Sequence, residues 1–216
     1  MSLLDHPVHL IIVLFALSLL PLFAIMGTSF LKISIVLSML RTALGVQQIP
    51  PNMAIYGLSM ILTMFIMAPV GKDIYDDIKK NPISLDSPEI LEKLDKQVAI
   101  PYRAFLTKHS HIKQINFFSK IGHRIWPQEY HEDLSKDSLV VLIPAFTMSQ
   151  LIEAFKIGLL IYLPFVAIDI IVSNILLAMG MMMVSPMTIA LPFKILIFIM
   201  MGGWEKLVTQ LMLSFA

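Results

Sequence analysis

Apolar positions run almost without interruption through both ends of the chain and break up in its middle. Residues 8–31 and 42–71 contain no Lys, Arg, Asp or Glu, and each run exceeds the roughly 20 apolar residues that cross a bilayer core. After Ser138 the pattern is apolar again, interrupted only by Glu153, Lys156, Asp169, Lys194, Glu205 and Lys206. Four apolar helical segments are predicted, at about 8–26, 52–71, 157–180 and 187–206. From Lys72 to Asp137 there are eleven basic and eleven acidic residues, 22 of the 31 charges in the chain, so this stretch reads as a solvated, mostly helical insert. The expected fold is all-α, with an N-terminal apolar hairpin over 1–71, a polar insert over 72–137 and a C-terminal apolar hairpin over 138–216.

Composition excludes most alternatives. With 57% hydrophobic and 14% charged residues and a mean hydropathy of +0.80, a water-soluble globule is ruled out. A net charge of +1 supplies no face for nucleic acid, and the absence of Cys removes disulfides, thiolate metal sites and cysteine nucleophiles. Met1 to Pro7 holds no Lys or Arg, so it lacks the basic start of a cleavable signal, and the first apolar segment is expected to be retained. The 27–51 connection contains Lys32 and Arg41 and no acid, which places it, with the Met181–Pro186 turn, on the cytoplasmic side and the insert outside.

The apolar segments are unusual in their prolines. Pro21, Pro69, Pro144, Pro164, Pro186 and Pro192 lie within or beside them; each interior proline removes a backbone hydrogen bond, and broken helices commonly line a pathway or an assembly. A further helix is predicted over Thr28–Leu44, where Ser34, Ser38 and Thr42 recur every fourth residue and form a small-residue ridge suited to close helix packing. Lys32 and Arg41 ride on this helix, and its own hairpin offers them no acid. Their partners are expected elsewhere, so Lys32, Arg41, Ser34 and Ser38 are candidates for contacts between subunits, together with Glu153 and Lys156 in the other apolar half.

Asp169 and Lys194 are equidistant from a turn centred between Met181 and Met182. Each lies roughly 18 Å along its helix from that turn, and pairing relieves the several kcal/mol that a lone charge costs at such depth. The turn itself contains Met181, Met182 and Met183. Thioether side chains are flexible and polarizable, so several of them together suit a compliant gate; ordinary core filling is the alternative if the turn is buried in one chain. Copper(I) is disfavoured because no His or Cys accompanies the methionines. Gly57-Leu58-Ser59 lacks the second glycine of a nucleophile elbow, and His109, His111, His123 and His131 follow no metal-ligand spacing. No phosphate-binding loop is present.

Two blocks of residues carry a family resemblance. The first is Gly27-Thr28-Ser29-Phe30, Ile33 to Leu37, Leu40-Arg41-Thr42-Ala43-Leu44-Gly45, Gln47-Gln48 and Pro50-Pro51-Asn52. The second is Ile143-Pro144-Ala145-Phe146, Ala154-Phe155-Lys156-Ile157-Gly158, Leu163-Pro164-Phe165, Asp169, Met179 to Met183, Pro186 and Ala190-Leu191-Pro192-Phe193-Lys194. Together they resemble the FliP/SctR family of type III secretion export-apparatus membrane proteins over about two thirds of the chain. The resemblance implies a core subunit of an export gate rather than an enzyme, a pentamer staggered helically with two other small export-apparatus membrane proteins, an export-switch membrane protein as neighbour, and unfolded secreted proteins as cargo. It implies a Met181–Met183 gasket, no cofactor and no nucleic-acid partner, and an inner-membrane location with the assembled complex displaced toward the periplasmic face. The chain departs from the family pattern at Gly202, before Gly203-Trp204, and at Gln150, both places where an acid is frequent. The N-terminus resembles the injectisome branch more than the flagellar one. A small secondary transporter or ion channel with broken helices is the alternative reading, and an intramembrane enzyme ranks third.

Overall fold

The computed structural model describes residues 7–46, 49–80 and 95–216; the Met1–His6 stretch, the Gln47-Gln48 motif and residues 81–94 of the insert lie outside these. All described elements are helical. They are α1 (Pro7–Met26), α2 (Phe30–Leu44), α3 (Asn52–Lys80), a π-helical turn (Asp95–Ala99), α4 (Ile100–Lys108), α5 (Ile112–Ile125), two 3-10 turns (Gln128–Tyr130 and Glu132–Leu134), α6 (Leu139–Ala178), α7 (Pro186–Met200) and α8 (Gly203–Leu213).

The predicted 157–180 segment is only the second half of α6, which begins at Leu139 and runs 40 residues, roughly 60 Å at 1.5 Å per residue. Its first turn forms where Val141 and Leu142 donate to the Ser138 carbonyl, just beyond the charged stretch, and Pro144 and Pro164 sit inside it without ending it. Charges at Glu153 and Lys156 therefore interrupt the apolar pattern but not the helix. The predicted 187–206 segment, in contrast, is two helices meeting at 63°. Gly202 adopts φ +63° at the bend, a conformation disfavoured for an L side chain, which suits glycine there.

A second correction concerns residues 27–51. Rather than returning to one side as a short connection, α2 lies alongside α6 and passes from the insert end toward the Met-rich end. At its start the Gly27 carbonyl accepts from Tyr102 Oη at 2.9 Å; near its end the Ala43 carbonyl accepts from Lys194 Nζ at 3.2 Å. The helix is held there because Ile33, Val36, Leu37 and Leu40 are buried in one cluster with Ala154, Phe165, Leu207 and Leu211. Burial pushes the Tyr102 phenol up from its ordinary pKa, which keeps it a donor.

A second cluster joins the insert to the same scaffold. Phe105, Leu106 and Ile115 pack with Val141, Leu142, Ala145 and Phe146 of α6, and Ile66, Met67 and Val70 of α3 lie against them. The close approach of α2 to α6 depends on Gly158, where a Cβ would overlap the Met39 side chain. Replacing Gly158 by Val should destabilise the detergent-solubilised protein by about 1–3 kcal/mol through overpacking, read as a lower thermal midpoint. Gly57→Ala is the matched control, because that position has open space and Ala is favoured over Gly within a helix.

Among the described residues, two helical stretches are long and apolar enough to cross a membrane, α3 and Glu132–Ala178, or three if the bent α7–α8 pair is one span. Phe65 and Leu160 are each 69% exposed, so these helices present apolar side chains outward in quantities that demand lipid or protein cover.

Candidate functional site

The C-terminal half of α6 and α7 form an antiparallel hairpin, with an ion pair partway along it and methionines at its tip. Lys194 Nζ lies 2.6 Å from Asp169 Oδ2, and the Lys194 side chain is almost wholly buried while that of Asp169 is one-third exposed. Lys194 also caps α2: Gly45, at φ +79°, closes the helix with Val46 N–H on the Arg41 carbonyl and Gly45 N–H on that of Thr42, leaving the Ala43 carbonyl for the ammonium. A helix C-terminus favours a cation there. One lysine thus ties the hairpin to α2, while Asp169 Oδ1 is buried without a hydrogen-bond partner.

The tip is a built turn. Met181 N–H bonds to the Leu176 carbonyl and Gly180 N–H to that of Leu177, with Gly180 at φ +75°; this crossed pattern ends α6. Pro186 then starts α7, where its missing N–H costs nothing. Met181 is 45% exposed, Met182 82% and Met183 102%. These side chains fill no core within the chain, so ordinary monomer packing does not explain their placement.

A second charged node sits at the insert end. Lys32, with a side chain 1% exposed, places Nζ 2.9 Å from Glu153 Oε2 and 3.7 Å from the centre of the Phe215 ring. The expectation that Lys32 finds its acid on another subunit is corrected: Glu153 of the same chain reaches it because α2 lies along α6 rather than outside the bundle. His111 Nε2 lies 3.2 Å from Glu153 Oε1, at ion-pair distance but without hydrogen-bond alignment. Beside it, the His109 ring packs against Phe105 and Phe215. Burial, then the Lys108 and Lys32 charges, hold its pKa below the ordinary histidine range against the opposing pull of Glu153, so it stays neutral.

Other candidates also find partners nearby. Arg41 Nη1 donates to Asn52 Oδ1 at 2.6 Å and to the Pro50 carbonyl at 3.3 Å; its own hairpin satisfies it with neutral oxygens, which a search for acids overlooks. Ser34 donates to the Leu31 carbonyl, and Thr42 to that of Ser38, so these hydroxyls bond within α2 rather than across helices. Lys156 is exposed. Ser59 is fully buried with its hydroxyl on the Ile55 carbonyl. Among the described residues, no three His, Asp or Glu are gathered to hold a metal ion.

Sequence reading missed the clamp on the α4–α5 turn. Gln150 Nε2 donates to the His109 carbonyl at 2.8 Å, and Ser149 Oγ accepts from His111 N–H at 2.9 Å. Donation to a carbonyl needs the amide N–H of Gln150, which an ionised carboxylate would lack. The signal was present in Ser149-Gln150 as two consecutive polar residues within an apolar helix.

Residues 13–211 match the model of the FliP family. The chain is 53% identical to virulence protein YscR of Salmonella typhimurium, across the whole of both chains. It is 52% identical to Yop proteins translocation protein R of Yersinia pestis, covering 98% of each, and 43% identical to harpin secretion protein HrcR of Erwinia amylovora, covering 97% of this chain and 96% of the relative.

Proposed function

The chain belongs to the FliP family, and on that premise we propose that it is a core subunit of a type III secretion export gate, the portal through which unfolded secreted proteins leave the bacterial cytoplasm. Relatives named for Yop translocation and harpin secretion support the injectisome branch. Five copies join two other small export-apparatus membrane proteins in the inner membrane, next to an export-switch membrane protein, with the assembly raised toward the periplasmic face. Residues 1–71 and 138–216 supply the gate's helices, and 72–137 the extracytoplasmic layer. Exposed Lys156, with half-buried Arg41 and Ser38, remain the candidates for contacts between copies.

The observation that carries this reading is the exposed Met181–Met183 tip on an outward-facing apolar hairpin. A single soluble or lipid-embedded chain gains nothing from three consecutive thioethers held in the open by a purpose-built turn. Converging copies would bury them against one another as a soft constriction that closes to water and yields to a passing chain. The Asp169–Lys194 pair, tied to α2, fixes the root of that hairpin. Mild solubilisation and native mass measurement should recover a stoichiometric complex of several copies with two smaller membrane proteins. A lone monomer or dimer that catalyses solute uptake would contradict the proposal.

A further inference from the structure

The charges of the insert are sorted rather than mixed. From Lys96 to Gln128 there are six Lys or Arg and no Asp or Glu, whereas Glu129 to Asp137 holds four acids and one Lys. Lys113, Lys120 and Arg124 fall on α5 with Phe117. At about 100° per residue these four lie within roughly 60° of one another, on the side opposite buried Ile115. All four are exposed, and among the described residues no acid pairs with the three cations.

The acidic turn sits on another flank of the same helix. Ser119 Oγ donates to the Leu134 carbonyl at 3.1 Å, Leu134 fills the space over Gly122, and His131 Nε2 is 3.1 Å from the Trp126 carbonyl. Positions 119 and 122 point more than about 100° away from the stripe. Glu129, Glu132, Asp133 and Asp137 are exposed and, among the described residues, make no ion pair within the chain. One copy therefore presents unlike charge on two separate sides.

We propose that the Lys113–Phe117–Lys120–Arg124 stripe docks on the Glu129–Asp137 turn of a second copy, head to tail. An unlike-to-unlike contact is heterologous, and its repetition builds a ring or a staggered helix rather than a closed dimer. An anionic bilayer would attract the stripe but repel the turn a few residues away, whereas a second copy supplies the balancing charge, four acids and one Lys at 129–137 against the three cations of the stripe. Phe117 gives the contact an apolar centre, and the surrounding charges fix its register. The inference rests on the self-association proposed above.

The test uses two differently tagged full-length copies, produced with their membrane partners, in a chain free of native Cys. Phe117→Cys in one copy and Asp133→Cys in the other should give a mixed cross-linked adduct, while two Phe117→Cys copies should give none. Adding Lys113→Glu, Lys120→Glu and Arg124→Glu to the first copy should lower the adduct about tenfold, and Glu129→Lys, Glu132→Lys and Asp137→Lys in the second should restore it. A multi-copy complex that forms without the mixed adduct would overturn this inference alone, as would adducts only between two Phe117→Cys copies. Loss of binding to phosphatidylglycerol vesicles in the reversed stripe, with adducts unchanged, would assign the stripe to lipid. Absence of any multi-copy complex would overturn both this contact and the self-association beneath it.

Discussion

Asp169→Lys should remove most of the assembled complex, and adding Lys194→Asp should return part of it. The single change sets two ammonium groups where one now meets a carboxylate at 2.6 Å, and Lys194 is nearly fully buried. Breaking such a pair from one side costs about 3–5 kcal/mol, because an uncompensated charge remains. The damage should also spread to α2, whose Ala43 carbonyl loses its cap when Lys194 is displaced. In the double reversal the attraction is regained, but an aspartate at 194 repels that carbonyl, so recovery should be incomplete. Complex yield on native gels for both singles and the double checks this; a double variant no better than the worse single would exclude direct coupling.

Glu153→Ala should have the next largest effect, about 3 kcal/mol, at the low end for a broken buried pair because water reaches Glu153, whose side chain is one-third exposed. Lys32 would then keep only the face of Phe215, and a cation–π contact offsets only about 1–2 kcal/mol. Introducing Lys32→Met together with Glu153→Leu removes both charges and keeps apolar volume, so it should recover most of the loss. Thermal unfolding in detergent measures all three. If Glu153→Ala matches the parent, Lys32 is satisfied by solvent rather than by its acid. The His111 ring should also lose its contact with Glu153 Oε1 in this variant, while its backbone N–H keeps Ser149 Oγ.

The two long apolar hairpin arms were legible in the sequence because burial in lipid or protein writes itself as an unbroken apolar run. Positions 169 and 194 are joined by a short turn, so distance along the chain translates directly into distance in space. Lys32 and Glu153 have no such ruler: 121 residues separate them, and only the seating of α2 against α6 sets them level. That seating was hidden because α2 carries two charges, which in a hydropathy pattern look like a membrane-flanking connection. Here Lys32 is internally paired and Arg41 finds Asn52. The bend at Gly202 was equally hidden, since Met201-Gly202-Gly203 is as apolar as the helices on either side, and its conformation rather than its polarity breaks the run. Composition could mark the insert as polar but not show that Ser149 and Gln150 clamp its turn to α6.

Gating by the methionine turn is tested most directly by replacing Met181, Met182 and Met183 with Ala together, then measuring ion or small-solute leakage in cells alongside the amount of intact complex. In the single chain these side chains are exposed, so their truncation should escape the roughly 2–5 kcal/mol per residue that buried Met→Ala changes cost. Leakage with normal assembly is the expected result. Loss of assembly without leakage would contradict the gate and make the turn a packing element.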